Sequence, residues 1–363
     1  MEGKLGCQPG LDGLRAIAVT AAVGFHYKWG LAGGWHGVNL FFVISGYLIT
    51  RLLIDEHAAN GRIRLGAFYR RRAARLLPAL YVTVAVFIVV GWLIRPEHAA
   101  ADLRGAIAGL LYVANLDRYF GWSDGAMFGH LWSLSLEEQF YALWPVAFVL
   151  LSRRRTRQQI GWIVGAMSGA LFVQIAVRAG WWFNLNHLYN GIEGQGMAFL
   201  LAGCAWGALN VRGSWLRRAA PIGAAIGLLV AAATLDHRTP ATYVAMPLLA
   251  AGMLILVSGA LRGGPLERLL GCRPLRYVGQ RSYGIYLIHA EVRILFDNAL
   301  APNGPLRFGL STVALVVTLL LAAASYRWVE QPLRVRLSGP RPLGPTAERS
   351  SNVDTTPGQM VVS

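Results

Sequence analysis

An all-α, polytopic membrane protein is the fold class this sequence predicts, on three observations. Of the 363 residues, 55% are hydrophobic and only 14% are charged. The mean hydropathy is +0.44, a balance that does not describe a soluble globular domain. The apolar residues fall in runs near bilayer length, and Arg clusters separate them, where the positive-inside rule puts basic residues. That placement also answers the nucleic-acid reading that a net charge of +16 invites. The charge is divided among short loops, and no DNA- or RNA-binding motif is visible.

The first span covers residues 12–29, within LDGLRAIAVTAAVGFHYKW. It carries Arg15 and lacks a small-residue cleavage site after it, so it is expected to be retained and not cleaved as a signal peptide. A Gly-rich turn, GLAGGWHG, leads to a second span at 38–53. A basic amphipathic stretch follows, with Arg51, Arg62, Arg64, Arg70, Arg71, Arg72 and Arg75, before a third span that starts near Pro78 and ends at 94. Segment 103–116 is apolar but has about fourteen residues, where a crossing takes roughly twenty. The next long span, 131–151, ends in SRRRTR, so its C-terminal end is inside. It can start outside only if 103–116 does not cross, and that segment is expected to be re-entrant or interfacial. Spans at 160–177, 194–209, 219–235, 241–261, 282–300 and 308–328 then alternate in direction. The expectation is ten transmembrane helices in the cytoplasmic (inner) membrane, with both termini cytoplasmic. Residues 1–337 form one transmembrane domain, and 338–363, rich in Pro, Ser, Thr and Gly, a disordered cytoplasmic tail. Cys7, Cys204 and Cys272 are scattered and odd in number, so neither a disulfide framework nor a metal site is expected. No internal repeat marks an inverted-repeat transporter.

Five groups of residues could carry chemistry. Arg15 and His26 lie eleven residues apart on the first span, which is about 16 Å along a helix and about three turns plus 20°, so both sit on one face at two depths. Polar groups this costly in a bilayer are functional candidates, although snorkelling and interfacial anchoring explain them equally well. Arg72 and Arg75, at i and i+3 in FYRRRAARLLPALY, share a helical face and can chelate a phosphate, or serve only as a basic collar over anionic lipid. In HLWSLSLEEQFYALWP, Ser133, Glu137 and Tyr141 follow at i, i+4 and i+8. Glu137 is expected to face inward, with its neighbour reaching interfacial water, unless the pair merely complements the helix dipole. In SYGIYLIHAE, Tyr283, Tyr286 and His289 make a polar stripe that can bind substrate or act as hydrogen-bonding glue between helices. Glu330, in WVEQP, ends the last span in a capping, Arg-pairing or catalytic role.

Taken together and in this order, LDGLRAIAV ending in FHY, GVNLFFVISGYLIT, FYRRRAARLLPALY, HLWSLSLEEQFYALWP, SYGIYLIH and YRWVEQP resemble the acyltransferase 3 family of membrane-bound O-acyltransferases. They run from about residue 11 to 334. One departure is Asn39, where members often carry an acid after GV, which puts a local ion pair in doubt. The resemblance implies ten or eleven membrane helices, an acyl-CoA donor entering from the cytoplasm and a hydroxyl acceptor; acetyl-CoA is the expected donor, and no metal is expected. It matches Arg15 and His26 to the family's Arg-x10-His pair, and Arg72 and Arg75 to its Arg-x-x-Arg motif.

Acyl transfer to an alcohol needs a base near the hydroxyl, a cradle for the donor and positive charge for the oxyanion. On this reading His26 is the base and Arg72 and Arg75 hold the CoA phosphates. Arg15 steers the thioester toward His26, and Glu137 orients His26 or the acceptor. Ser133, Tyr141, Tyr283, Tyr286 and His289 line the substrate path. The acceptor is expected to be a sugar hydroxyl of an envelope glycan or lipid-linked saccharide. A glycosylated secondary metabolite such as a macrolide is the alternative, and a non-enzymatic transporter or exporter is the reading from another class. Only about thirty residues follow Trp328, too few for a domain, so acceptor recognition is expected in the membrane core and its loops. The loop aromatics Trp29, Trp35, Trp122, Trp181 and Trp182 could pack on a sugar, or form an interfacial belt.

Overall fold

The computed structural model describes residues 8–122, 127–181, 185–211, 215–233, 239–300 and 305–338, and over these it contains helices and turns and no strand. Helix α1 (Pro9–His26) begins with Pro in its first turn, where a missing N–H is not needed, and Asp12 there complements the dipole. The Gly-rich segment is a single 3₁₀ turn, Ala32–Trp35, that runs directly into α2 (His36–Asn60). Gly61, at φ 66°, closes a left-handed C-cap on α2.

Helix α3 (Leu65–Ile94) corrects the expected start of the third span, because Pro78 lies in its interior. Pro78 removes one backbone hydrogen bond without ending the helix, a loss that membrane helices absorb through their neighbours. Arg72 and Arg75 are therefore fixed on the same rigid helix as the apolar segment that follows. Helices α4 (Ala99–Leu110) and α5 (Ala114–Phe120) take the place of segment 103–116. Neither is long enough to cross, since the 12 residues of α4 rise only about 18 Å.

Next come α6 (Trp132–Ser152) and α7 (Arg157–Gly180), the latter opened by a capping box between Thr156 and Gln159. They are followed by α8 (Leu185–Asn190), α9 (Gln195–Leu209), α10 (Trp215–Ala233) and α11 (Pro240–Ala260). Two short helices, α12 (Pro265–Leu270) and α13 (Arg273–Gln280), lead to α14 (Ser282–Leu300). Helix α15 (Pro305–Ser325) continues through one π-helical turn, Tyr326–Glu330, into α16 (Gln331–Ser338). The last expected span is thus longer at its C-terminal end. The expected tail from residue 339 lies outside the described residues, as do Cys7 and Trp182.

Among the described residues, five helical segments are long and apolar enough to cross a membrane: Ala32–Asn60, Leu65–Ile94, Arg157–Gly180, Pro240–Ala260 and Phe308–Leu337. Helices α1, α6 and α14 are more polar because each carries charged groups within the bundle, and α9 has only 15 residues. Close backbone approach holds the bundle together. A Cβ on Gly46 would overlap the carbonyl oxygen of Leu200, and one on Gly203 that of Val43, so α2 and α9 touch main chain to main chain. Cys204, fully buried at the same contact, donates its thiol hydrogen to the Gly46 carbonyl at 3.3 Å. Helices α1, α2, α3, α6 and α14 surround the polar centre.

Candidate active site

The centre is a cavity of about 940 Å³, counted out to its open mouth. Seven α2 residues line it: Val38, Phe41, Phe42, Ser45, Leu48, Ile49 and Leu52. Their spacing is that of one helical face, and from first to last it spans about 21 Å. The cavity is therefore elongated along α2. Arg15, Arg72 and Arg75 contribute three guanidiniums to its wall, while Ser133, Tyr283 and Tyr286 contribute hydroxyls. Tyr286 and Ser133 lie toward the Val38 end, where the Tyr286 ring meets Phe41 at 6.2 Å between centroids.

The two arginines of the Arg-x-x-Arg pair differ. Arg75 is exposed within the cavity and makes no hydrogen bond or ion pair among the described residues. Arg72 is engaged by the protein. Its Nε donates to both Glu138 oxygens at 3.1 and 3.0 Å, its Nη2 donates to Glu138 at 2.5 Å, and its guanidinium carbon lies 3.1 Å above the Tyr141 ring centre. Arg15 has one weak partner, Asp12, at 3.5 Å.

Glu137 faces the cavity with Ser133 and Tyr141, as their spacing predicts. It accepts hydrogen bonds from Ser45 at 2.5 Å and Tyr141 at 2.8 Å, and Arg72 lies 3.9 Å away. Of the two roles expected for Glu137, orienting His26 or orienting the acceptor, the first is not met, because these partners sit on α2, α3 and α6 and none is His26. The expectation that Glu138 reaches interfacial water is also corrected. Its side chain is 13% exposed and neutralises Arg72, the partner a carboxylate needs in an apolar interior.

His26 is half-buried, is not among the residues that line the cavity, and faces α14. Its Nδ1 lies 2.8 Å from Nε2 of His289, and the ring centres are 4.9 Å apart. His289 is fully buried and lies behind the cavity wall, which corrects its assignment to the substrate path. Its Nδ1 donates to the Tyr286 carbonyl at 2.7 Å. Tyr286 is thus a cavity-wall residue whose main chain holds the histidine pair, while its hydroxyl shares a 2.6 Å hydrogen bond with Ser133 and donates to the His130 carbonyl at 3.1 Å. Tyr283 donates to the Leu76 carbonyl at 2.9 Å and ties α14 to α3, so it acts as glue as well as wall. Arg293 donates to the His26 carbonyl, and Tyr27 donates to the His289 carbonyl at 3.1 Å, which fixes the end of α1 on α14.

Sequence reasoning missed four members of this centre. Ser45 sits inside the quoted VISGY. His130 opens the quoted HLWSL, and Glu291 follows His289 by two residues. His130 Nδ1 lies 3.2 Å from Glu291, and Glu291 also accepts the Phe128 main-chain N–H at 2.9 Å. Glu138 was assigned to water. The signal available for all four was a polar type in an apolar segment. Glu330 is buried at the π-helical turn, 3.4 Å from its donor Ser325, and so lies inside the helix pack and not at an exposed end. Asn39 is fully buried, and its amide donates to Gln195 at 3.2 Å, so an amide pair occupies the place of the expected ion pair. Of the loop aromatics, Trp35 is buried against His36 and Tyr189, whereas Trp122 and Trp181 are exposed.

The chain is 32% identical over 350 residues to the O-acetyltransferase OatA of Staphylococcus aureus, a match covering 90% of this chain and 57% of that one. It is 30% identical over 359 residues to the peptidoglycan O-acetyltransferase OatA of Listeria monocytogenes, covering 90% of this chain and 56% of that one. The chain thus spans somewhat more than half the length of these curated relatives. No solved structure gives a significant match. Residues 8–327 match the family model described as an acyltransferase domain, and the chain belongs to the acyltransferase 3 family.

Proposed function

We propose that this chain is an integral-membrane O-acyltransferase that moves an acyl group, acetyl by the example of its relatives, from acyl-CoA to a sugar hydroxyl of an envelope glycan. The observation that carries the reading is the elongated cavity itself. It has three guanidiniums in its wall, one of them, Arg75, without a hydrogen-bond or ion-pair partner among the described residues, and at the Val38 end the hydroxyls of Ser133 and Tyr286, the latter's main-chain carbonyl accepting from His289, which pairs with His26. A long anionic thioester matches that shape and that polarity. Arg75, with Arg15, offers the CoA phosphates a site, and the apolar α2 face takes the pantetheine arm. His26 accepts the proton of the acceptor hydroxyl as its oxygen attacks the thioester carbonyl. The new C–O bond replaces the C–S bond, and the departing thiolate takes the proton back. The relatives' printed names, O-acetyltransferase and peptidoglycan O-acetyltransferase, favour a glycan acceptor over a secondary metabolite.

The topology belongs to the same proposal: ten crossings of the cytoplasmic membrane, with both termini inside. Helices α1, α6 and α14 then cross despite their polar residues, because those residues face the centre and not lipid.

The test uses the purified full chain in nanodiscs with radiolabelled acetyl-CoA and peptidoglycan fragments. Wild type is expected to label the glycan. His26→Ala is expected to abolish labelling while CoA binding and insertion persist. Full transfer by His26→Ala would end the proposal.

A further inference from the structure

We propose that His289 is a positioning residue for His26. It accepts a hydrogen bond from His26 Nδ1–H, holds that tautomer, and leaves His26 Nε2 as the atom that receives the acceptor's proton. The inference deepens the proposed function and rests on it for the role of His26 as base.

The deduction starts from a carbonyl. Nδ1 of His289 lies 2.7 Å from the main-chain oxygen of Tyr286. A carbonyl oxygen can only accept, so this nitrogen carries hydrogen. In a neutral imidazole the other nitrogen is then a lone pair. That lone pair, on Nε2, lies 2.8 Å from Nδ1 of His26. The bond between the two rings therefore has a direction, from His26 to His289, and the remaining nitrogen of His26 carries no hydrogen. The neutral form of His289 is the one its surroundings accommodate. Its ring is fully buried, and none of the hydrogen bonds to it comes from a carboxylate. A second proton would leave a bare charge in an apolar interior.

The surroundings keep this chain of bonds from reversing. Its first acceptor is backbone in the second turn of α14, so no side-chain rotation exchanges it for a donor. Both rings sit on clamped main chain: Arg293 donates to the His26 carbonyl, and Tyr27 donates to the His289 carbonyl at 3.1 Å. His130 stands edge-on to His289, ring centres 5.4 Å apart, and is itself beside Glu291. It hydrogen-bonds to neither ring of the pair.

The consequence for transfer is specific. When the acceptor O–H bond breaks, its proton binds His26 Nε2 and the ring becomes an imidazolium. The Nδ1–H bond to His289 strengthens at that moment, because its donor has become charged. The same proton then leaves Nε2 for the thiolate. His289 touches neither donor nor acceptor, so its contribution belongs in kcat and not in KM.

The first test reads the tautomer without activity. ¹⁵N-histidine NMR of the full chain in nanodiscs, with His26 assigned by its loss in His26→Ala, is expected to show Nδ1 as hydrogen-bearing and Nε2 as a lone pair. The reverse pattern, or an equal mixture, overturns the proposal. The second test reads kinetics. His289→Leu is expected to lower kcat about 100-fold with both KM values within about twofold. His289→Gln, whose amide oxygen can accept from His26, is expected to recover at least about tenfold of that loss. A Gln variant no better than Leu, or a loss carried by KM, overturns it. A wild-type chain that transfers no acyl group defeats the functional reading alone, and the isotope pattern still decides the direction of the bond between the rings.

Discussion

Arg72 grips Glu138 as a fork: Nε lies 3.0 Å from one carboxylate oxygen and Nη2 lies 2.5 Å from the other. The pair links α3 to α6 beside the cavity, with side chains 21% and 13% exposed. Removing one partner of a fully buried pair costs about 3–5 kcal/mol, because the other charge is left bare. Partial exposure lowers that here, and Glu138→Ala is expected to cost about 2 kcal/mol. The check is the midpoint of thermal unfolding in detergent. Arg72→Lys is expected to fall with it, since an ammonium cannot form the fork. An Ala variant that melts with wild type would remove this pair from the structural account.

Arg75 makes the opposite prediction. It faces the cavity with no ion-pair partner among the described residues, so its loss breaks no close pair and removes only the longer-range attraction to Glu330. Arg75→Ala is expected to melt with wild type and to bind CoA about 10- to 100-fold more weakly, the worth of a charge-assisted hydrogen bond at about 1.5–3 kcal/mol. Affinity for a phosphate-free pantetheine thioester is expected to stay the same, which separates a phosphate contact from general damage. Unchanged CoA affinity would assign Arg75 to the basic collar.

The difference between Arg72 and Arg75 marks the limit of what the sequence made legible. The i, i+3 spacing placed both on one face, and both line the cavity. Spacing within α3 could not report a carboxylate arriving from α6. The same limit applies to His26. Its inward direction followed from the cost of an imidazole in lipid. Its partner, His289, is 263 residues away, and no local pattern ties the two together. Glu137 was read inward correctly because Ser133 and Tyr141 share its face, yet its contacts are Ser45 and Tyr141 and not His26. Pro78 misled for a physical reason, because a single lost hydrogen bond does not end a helix whose neighbours hold it.

Tyr286 and Ser133 should act as a unit. Their oxygens are 2.6 Å apart at the end of the cavity, and the main chain of Tyr286 holds His289. Tyr286→Phe and Ser133→Ala are each expected to lower kcat about tenfold, and the double variant no more than about twofold further. Steady-state kinetics on the four proteins gives the coupling. Strictly multiplicative losses would mean that the two hydroxyls serve separate purposes.

The last prediction concerns what keeps the cavity in shape. Helix α2 presents Val38, Phe41, Phe42, Ser45, Leu48, Ile49 and Leu52 to the cavity and meets α9 across Gly46 and Gly203 on the adjoining face. A methyl group at 46 would overlap the Leu200 carbonyl oxygen. Backbone cannot move aside as a flexible side chain can, so the two helices must separate. Overpacking of this kind costs about 1–3 kcal/mol. Gly46→Ala is therefore expected to lower the unfolding midpoint and, because α2 shifts as a rigid rod, to raise the donor KM as well. Gly169 supplies the control. It lies inside α7 with nothing within 4 Å of a built Cβ. Gly169→Ala is expected to be neutral or to gain up to about 1 kcal/mol from helix propensity alone. If both variants behave alike, close approach of α2 and α9 is not what sets the cavity's dimensions. If only Gly46→Ala loses both stability and donor affinity, the small-residue contact on one face of α2 is what holds the binding surface on the adjoining one.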